Sequence, residues 1–484
     1  MLGAYHRLAL PYALLGFVAL VPWLLALGDA KRTSQALART WLTTSGAVLL
    51  SFPWLVTAAE VYARLPSWAG WPLLALVAPV LQPQLLVAAL ARRRLGRSAG
   101  VCAWVLTEAL FPKLLHDCLG HGLYPLTGFR PLAAAGTVAA LSLVLLASNE
   151  WVASGFTRGR GWLRAIAAVA SACAVGFLPL GARAGGGAPV RVAAIQASLP
   201  RYDLLLEQRG SEGLVDEVLS SHRALTLEAA AAGAELIVWG ETVYPTTFSH
   251  PKSEEGRSTD EQLSALAREV RRPILFGGYD SDGATEFNAA FLLDAQGALR
   301  DVYRKSRLFP FGEFIPFGDV LVRWGLIQGP TGWGSGPGPR VLELALAGGR
   351  VIRVQPLICY EALFPEMTGA EAELLVNLSN DGGFGSALEA RQDLVIAAFR
   401  SVETGRPQLR VANSGTSALI DGSGEILASL PVGARGVLSG ALRPEPGHRA
   451  WPAWWLAVFG LIAVGARRLR SEWGRQVRAP VQTP

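Results

Sequence analysis

The first 185 residues hold one apolar stretch after another, and this constrains the chain more than any other feature. The stretches run over residues 8–28, 41–61, 71–91, 99–112, 132–148 and 163–181, and one more follows at 451–466. Several approach the roughly 20 residues that cross a bilayer as a helix. The fourth is short and is expected to extend through the amphipathic stretch Lys113–Phe129. A first segment alone would fit a signal peptide, but five more behind it read as an anchor. Only 17% of the chain is charged and 51% is hydrophobic, whereas a soluble enzyme carries about 25% charged residues.

The loops alternate in charge. Lys31, Arg32 and Arg39 follow the first stretch, Arg92, Arg93, Arg94 and Arg97 the third, and Arg158, Arg160 and Arg164 the fifth. The tail after the last stretch carries Arg467, Arg468, Arg470, Arg475 and Arg478. Basic loops stay on the cytoplasmic side, so these loops and the tail are expected there, and the polar segment 190–445 on the opposite side. The expected organisation is a transmembrane helical domain over 1–185 with six spans, a catalytic domain over 190–445, a C-terminal transmembrane helix at 451–466 and a basic cytoplasmic tail at 467–484. The net charge of +6 lies mostly between or after apolar runs. No Lys/Arg tract interleaved with aromatics stands in the polar domain, so no nucleic-acid partner is expected.

Beyond the flexible junction Ala184–Pro189, strand and helix alternate. Val190–Gln196, Glu235–Trp239, Pro273–Tyr279, Asn288–Asp294, Leu299–Tyr303, Val351–Ile358, Leu374–Leu378, Gln408–Ala412 and Thr416–Asp421 read as strands. Helices are expected over Gly213–Ala232, Asp260–Val270 and Ser386–Gly405, which gives a layered α/β domain. Three polar residues fall where strands end, where α/β folds commonly hold their chemistry. They are Glu241 after ELIVW, Lys305 in YRKSRLFPFGEFIPF, and Cys359 at the end of VIRVQPLIC. A carboxylate can take a thiol proton, and an ammonium can stabilise both thiolate and oxyanion. The other cysteines, Cys102, Cys118 and Cys173, sit in or near apolar helices, and their spacing fits neither a zinc site nor a disulfide framework. His116, Asp117 and His121 lack a fourth ligand, so no metal and no cofactor are expected. Glu108 inside an apolar run is unusual and is assigned no role.

These motifs resemble the nitrilase superfamily, which uses Glu, Lys and Cys in that chain order. The resemblance is closer to its membrane branch, the apolipoprotein N-acyltransferases. It rests on VWGE at Glu241, the Tyr303–Phe317 segment with Lys305 and Glu313, LICYE around Cys359, NLSNDGGFG over Asn377–Gly385, and the later ETGRPQLRVANSGTS run. The apolar N-terminal block and the single C-terminal span extend it over nearly the whole chain. It implies a nitrilase-like α-β-β-α sandwich on the outer side of the bacterial cytoplasmic membrane. It further implies that Cys359 takes an acyl chain from a phospholipid as a thioester. The chain then passes to the N-terminal amine of the diacylglyceryl-cysteine of an apolipoprotein. Glu241 is then general base, Lys305 electrophilic stabiliser and Cys359 nucleophile, with Glu313, Tyr360, Glu361 and Asn380 in support. Asn380–Asp381 would equally serve as a turn. Departures from the family pattern are Gly240 where Pro is usual, Gly383 where an aromatic is usual, Tyr202 where Trp is usual, and seven spans where eight are usual. A membrane-tethered amidase or nitrilase, and a degenerate scaffold that kept the fold, are the rival readings.

Overall fold

The structure, a computed structural model, describes residues 1–158, 187–199, 202–325, 331–369, 371–383 and 386–477, with 163, 166, 167 and 170 in addition. Most of the expected span at 163–181, Phe384 and the chain after 477 lie outside them. The chain divides into two compact units. One is formed by Met1–Pro53, Trp68–Leu180 and Ala450–Pro484, the other by Trp54–Ser67 and Gly181–Arg449.

The first unit is helical. Among the described residues one helix, Thr127–Phe156, is long and apolar enough to cross a membrane, or up to three helices are if each bent pair counts as one span. The expected continuous spans at 41–61 and 71–91 are each broken. One helix covers Thr33–Ser51 and the next starts at Trp54, while Ser67–Leu81 and Pro83–Leu95 meet at a 51° bend. The helix over Arg97–Leu110 likewise stops short of the expected extension to 129, which forms only short turns at Leu119–Leu123 and Thr127–Phe129. One cause explains all three. Phe52, Gln82 and Phe111 each precede a proline, whose ring pushes the preceding residue out of the helical region. Their backbones are non-helical, with ψ at 47°, 63° and 133°.

The long helix is itself interrupted at Gly136 and Thr137, and Thr137 has φ +59°. Backbone groups freed inside an apolar helix need partners. Here the carbonyls of Ala135 and Gly136 accept the N–H groups of Trp451 (2.9 Å) and Ala453 (3.1 Å), just ahead of the helix Trp454–Val477. Glu108 is also accounted for locally: buried, it accepts from Trp104 Nε1 (2.7 Å) and from the Leu119 N–H (2.8 Å).

The second unit is a sandwich of two six-stranded mixed sheets. Its elements are β1 (Val190–Gln196), α1 (Tyr202–Ala231), β2 (Leu236–Trp239), α2 (Glu254–Val270), β3 (Ile274–Ser281), β4 (Glu286–Leu293), β5 (Leu299–Arg304), β6 (Leu342–Ala345), β7 (Val351–Ile358), β8 (Leu374–Ser379), α3 (Ala387–Thr404), β9 (Gln408–Ala412), β10 (Ser417–Ile420), β11 (Ile426–Leu430) and β12 (Gly436–Leu442). The sheets are ordered β12-β1-β2-β3-β4-β5 and β11-β10-β9-β8-β7-β6. Side chains alternate across each strand, which sorts the core into layers. Val192, Ala194, Val238 and Leu275 face Leu344, Val354, Val376 and Leu409 between the sheets. Ala193, Ile195, Ile237 and Phe276 face Val218 and Leu225 of α1 and Leu263 and Leu266 of α2. Leu357 of β7 meets Ile396 and Ala397 of α3 on the other side. The layers therefore run α-β-β-α.

The parallel strands β1, β2, β3 and β7, β8, β9 form the two sheet centres, so their C-terminal ends open at one place in each sheet. Gly277 lets the Glu241 loop come close. Its N–H donates to the Gly240 carbonyl (3.1 Å), and a Cβ there would lie 2.5 Å from that oxygen and 2.6 Å from Glu241 Cα. Both neighbours are backbone and cannot rotate away. Gly277→Ala should therefore destabilise the protein by about 1–3 kcal/mol, seen as an earlier thermal unfolding transition; an unchanged transition would show that the Glu241 loop is free to shift.

Candidate active site

Three strand ends supply the reactive side chains. Glu241 stands two residues past β2, Lys305 directly after β5, and Cys359 directly after β7. Lys305 is only 1% exposed. Its Nζ donates to Glu241 Oε1 (3.0 Å) and to Glu313 Oε1 (2.8 Å). Asn288 Nδ2 donates to the same two oxygens, at 2.7 and 2.9 Å, and the Asn288 carbonyl accepts the Lys305 N–H at 2.8 Å. Glu313 Oε2 is held by the Phe309 N–H (2.7 Å), so the FPFGEF loop is folded onto the site by its own carboxylate.

Cys359 is half-buried and opens the short helical turn Cys359–Leu363 with φ +48°. A β-strand that stops and turns through the left-handed region projects its side chain beyond the sheet, and such a conformation persists only where its surroundings hold it. Glu361 does the holding. It is fully buried: Oε1 accepts from the Tyr303 hydroxyl (2.8 Å), the Ser306 N–H (2.8 Å) and hydroxyl (3.1 Å), and the Arg307 N–H (3.1 Å), and Oε2 accepts from the Ile358 N–H (2.8 Å). One carboxylate thus ties the residues after Lys305 to the residue before Cys359. Tyr360 packs edge-on between Phe309 (5.2 Å) and Phe364 (4.7 Å). Asn380 Nδ2 donates to Thr242 Oγ1 (3.2 Å) beside Glu241, and Asp381–Gly383 forms a turn. All seven residues singled out in the sequence therefore lie on this one end of the sandwich.

Charge and burial set the protons. Burial alone would lower the Lys305 ammonium, but the carboxylates of Glu241 and Glu313 outweigh it and hold it well above its usual range. Burial raises the Glu241 carboxyl, with Glu313 adding to this and Lys305 opposing it. Burial pushes the Cys359 thiol well up, and the Glu241 charge reinforces this against Lys305. Burial first, and the Glu241 charge second, thus favour the neutral thiol, while Glu241 is placed to receive a proton. Such a set can activate a thiol in the act of attacking a carbonyl, with an ammonium beside the developing oxyanion.

Asn288 was not evident as a site residue, nor were Asn377 and Arg410. Each is a polar residue inside an otherwise apolar strand run (FNAAFLL, LLVNLS, QLRVA), and that pattern is the signal that could have found them. Among the described residues no group of three or more His, Cys, Asp or Glu gathers as a metal site, His116, Asp117 and His121 included.

Residues 191–449 match the carbon–nitrogen hydrolase family, which sets the class of the catalytic unit, and residues 3–151 match the apolipoprotein N-acyltransferase N-terminal domain. An apolipoprotein N-acyltransferase of Azotobacter vinelandii is 31% identical over 507 residues, covering 99% of this chain and 82% of its own. One of Ralstonia nicotianae is 29% identical over 518 residues, covering 97% and 93%. An amidase from Nesterenkonia sp. resembles 54% of this chain and 92% of its own at 20% identity and a TM-score of 0.38, a likeness too low to carry an argument. The chain belongs to the apolipoprotein N-acyltransferase family.

The raised thiol gives a direct check. Alkylation of Cys359 by iodoacetamide, followed by peptide mass spectrometry, should keep accelerating above pH about 8.5, where an ordinary thiol is half ionised. A rate that levels off at or below that pH would mean that a resting thiolate exists and that Glu241 has no proton to take.

Proposed function

We propose that this acyltransferase moves an acyl chain from a phospholipid to Cys359 and from there to the N-terminal amine of a diacylglyceryl-cysteine apolipoprotein. The observation that carries the reading is the buried Lys305 ammonium shared by Glu241 and Glu313 at the strand end where Cys359 sits. As Cys359 Sγ attacks the ester carbonyl, Glu241 takes its proton and Lys305 faces the developing oxyanion. The C–O bond breaks, and the proton on Glu241 goes to the leaving lysophospholipid. The acceptor amine then attacks the thioester, Glu241 takes a proton from nitrogen, and the amide forms as Cys359 leaves and is reprotonated. Glu313 and Asn288 hold Lys305 and Glu241 in place; Glu361 fixes the turn that carries Cys359; Tyr360 and Asn380 line and brace the site.

A thioester waiting for an amine needs protection from water. Phe311 (65% exposed), Phe317 (83%) and Trp324 (70%) follow Lys305 in the chain, and such side chains suit contact with lipid better than with water. They support a loop that covers the acyl chain. The alternating basic loops support a multi-pass arrangement in the cytoplasmic membrane, with residues 190–445 on the outer side. Reporter fusions at Gly187 and at the C-terminus should then report opposite sides, and a common side would overturn that arrangement.

Phospholipid alone should add the mass of one acyl group to Cys359. The adduct should persist until a diacylglyceryl-cysteine peptide is supplied, then vanish as the peptide gains an amide-linked chain. Rapid release of free fatty acid without peptide would instead favour the hydrolase. Cys359→Ser should abolish turnover and Glu241→Gln should leave the thiol without its base. Lys305→Met should lower kcat on the order of 100-fold, the worth of one oxyanion donor. Near wild-type turnover in any of the three removes that residue from the mechanism.

A further inference from the structure

We propose that Arg410 is a positioning residue that fixes the nucleophile and the base relative to each other through the end of β8. The inference rests on the roles just proposed for Cys359 and Glu241. Arg410 lies inside β9 and is 1% exposed. A guanidinium is not carried into an apolar strand without paired acceptors, and those it finds all lie at the end of the neighbouring strand. Nη1 donates to Asn377 Oδ1 (2.5 Å), and Nη2 to Ser379 Oγ (3.3 Å) and Asp381 Oδ2 (3.2 Å). Ser379 Oγ donates in turn to Asp381 Oδ1 (2.5 Å).

Two short routes lead from these acceptors to the site. Asn377 stands opposite Arg410 in the β8–β9 register and opposite Leu357 in the β7–β8 register. Its Nδ2 donates to the carbonyls of Leu357 (3.1 Å) and Cys359 (3.5 Å). That holds the peptide on both sides of the point where β7 turns into the left-handed region at Cys359. On the other route, the Ser379 carbonyl accepts the Glu241 N–H (3.3 Å) and the Asn413 N–H (3.1 Å). The residue whose side chain binds Arg410 thereby anchors the backbone of Glu241, which belongs to the other sheet. One planar fork meets acceptors from three residues, a geometry that a lysine ammonium cannot reproduce. The charged and titratable groups that face Arg410 are Asp381, Asp393, Cys359 and Glu389.

A purely structural ion pair would also be buried and paired, so the test needs a readout that stability does not move. Two full-length variants serve. Arg410→Lys keeps the charge and loses the fork. Asn377→Asp keeps an acceptor for Arg410 and removes the donor to the Cys359 carbonyl. For the folded fraction of each, scored by thermal unfolding, kcat for acyl transfer should fall on the order of 100-fold with KM little changed, as expected when reacting groups are displaced without loss of binding. In Asn377→Asp, whose new carboxylate faces the Cys359 backbone, iodoacetamide alkylation of Cys359 should also shift to higher pH. Cys359→Ser is assayed alongside. Full activity in Cys359→Ser would overturn the reading of Cys359 itself. A dead Cys359→Ser, with wild-type kcat per folded molecule and a wild-type alkylation profile in the two variants, overturns only the positioning role. Failure of both variants to fold also overturns it, because the network would then be structural alone.

Discussion

Lys305 is an ammonium held out of water, and the geometry of the site follows from satisfying it. A buried cation persists only where opposite charge and acceptors are already in place. Here they come from two places, Glu241 after β2 and Glu313 on the FPFGEF loop, and Asn288 on β4 ties both carboxylates together through its Nδ2 while its carbonyl accepts the Lys305 backbone N–H. Removing any one leaves charge or a donor stranded in a dry interior, so the loop, the strand end and the neighbouring strand are mutually dependent. The same dry interior raises the Cys359 thiol, chiefly by burial, with the Glu241 charge reinforcing it and Lys305 opposing it.

Glu361 plays a different part, held by neutral hydrogen-bond donors. Five donors from two chain segments converge on it. Burial raises its carboxyl while the Ile358 amide, the Lys305 charge, the Ser306 amide and the Tyr303 hydroxyl pull it down. The Lys305 ammonium and the Cys359 sulfur thus sit on segments stitched to one carboxylate. Their separation is constrained through the Glu361 carboxylate, which accepts from the backbone of both segments.

Much of the catalytic unit was legible because its central strands are mostly apolar runs. Val190–Gln196, Val351–Ile358 and Gln408–Ala412 have the ends that the sequence suggested. β6, β11 and β12 were not read, for a common reason. They are edge strands with half-exposed, alternating or glycine-rich sequences (LELA, ILASL, GVLSGAL), whose pairing is decided by the strand beside them. The broken helices of the first unit were written in FP, QP and FP dipeptides, but apolar content masked them. In the site, Glu241, Lys305 and Cys359 were visible as polar residues at strand ends. Asn288, Asn377 and Arg410 were not, because what they do depends on register between strands, which no single segment encodes.

The interruption at Gly136–Thr137 carries a consequence for how the protein is made. The carbonyls it exposes are capped by Trp451 and Ala453, which leave the ribosome long after that helix has been synthesised. Through most of synthesis those two carbonyls must therefore find other partners. Their closure coincides with the arrival of the last helix. The C-terminal segment thus works as a late closure for the helical unit, and a nascent chain that stops at the end of the sandwich would carry every residue of the Glu241–Lys305–Cys359 cluster with that unit unfinished.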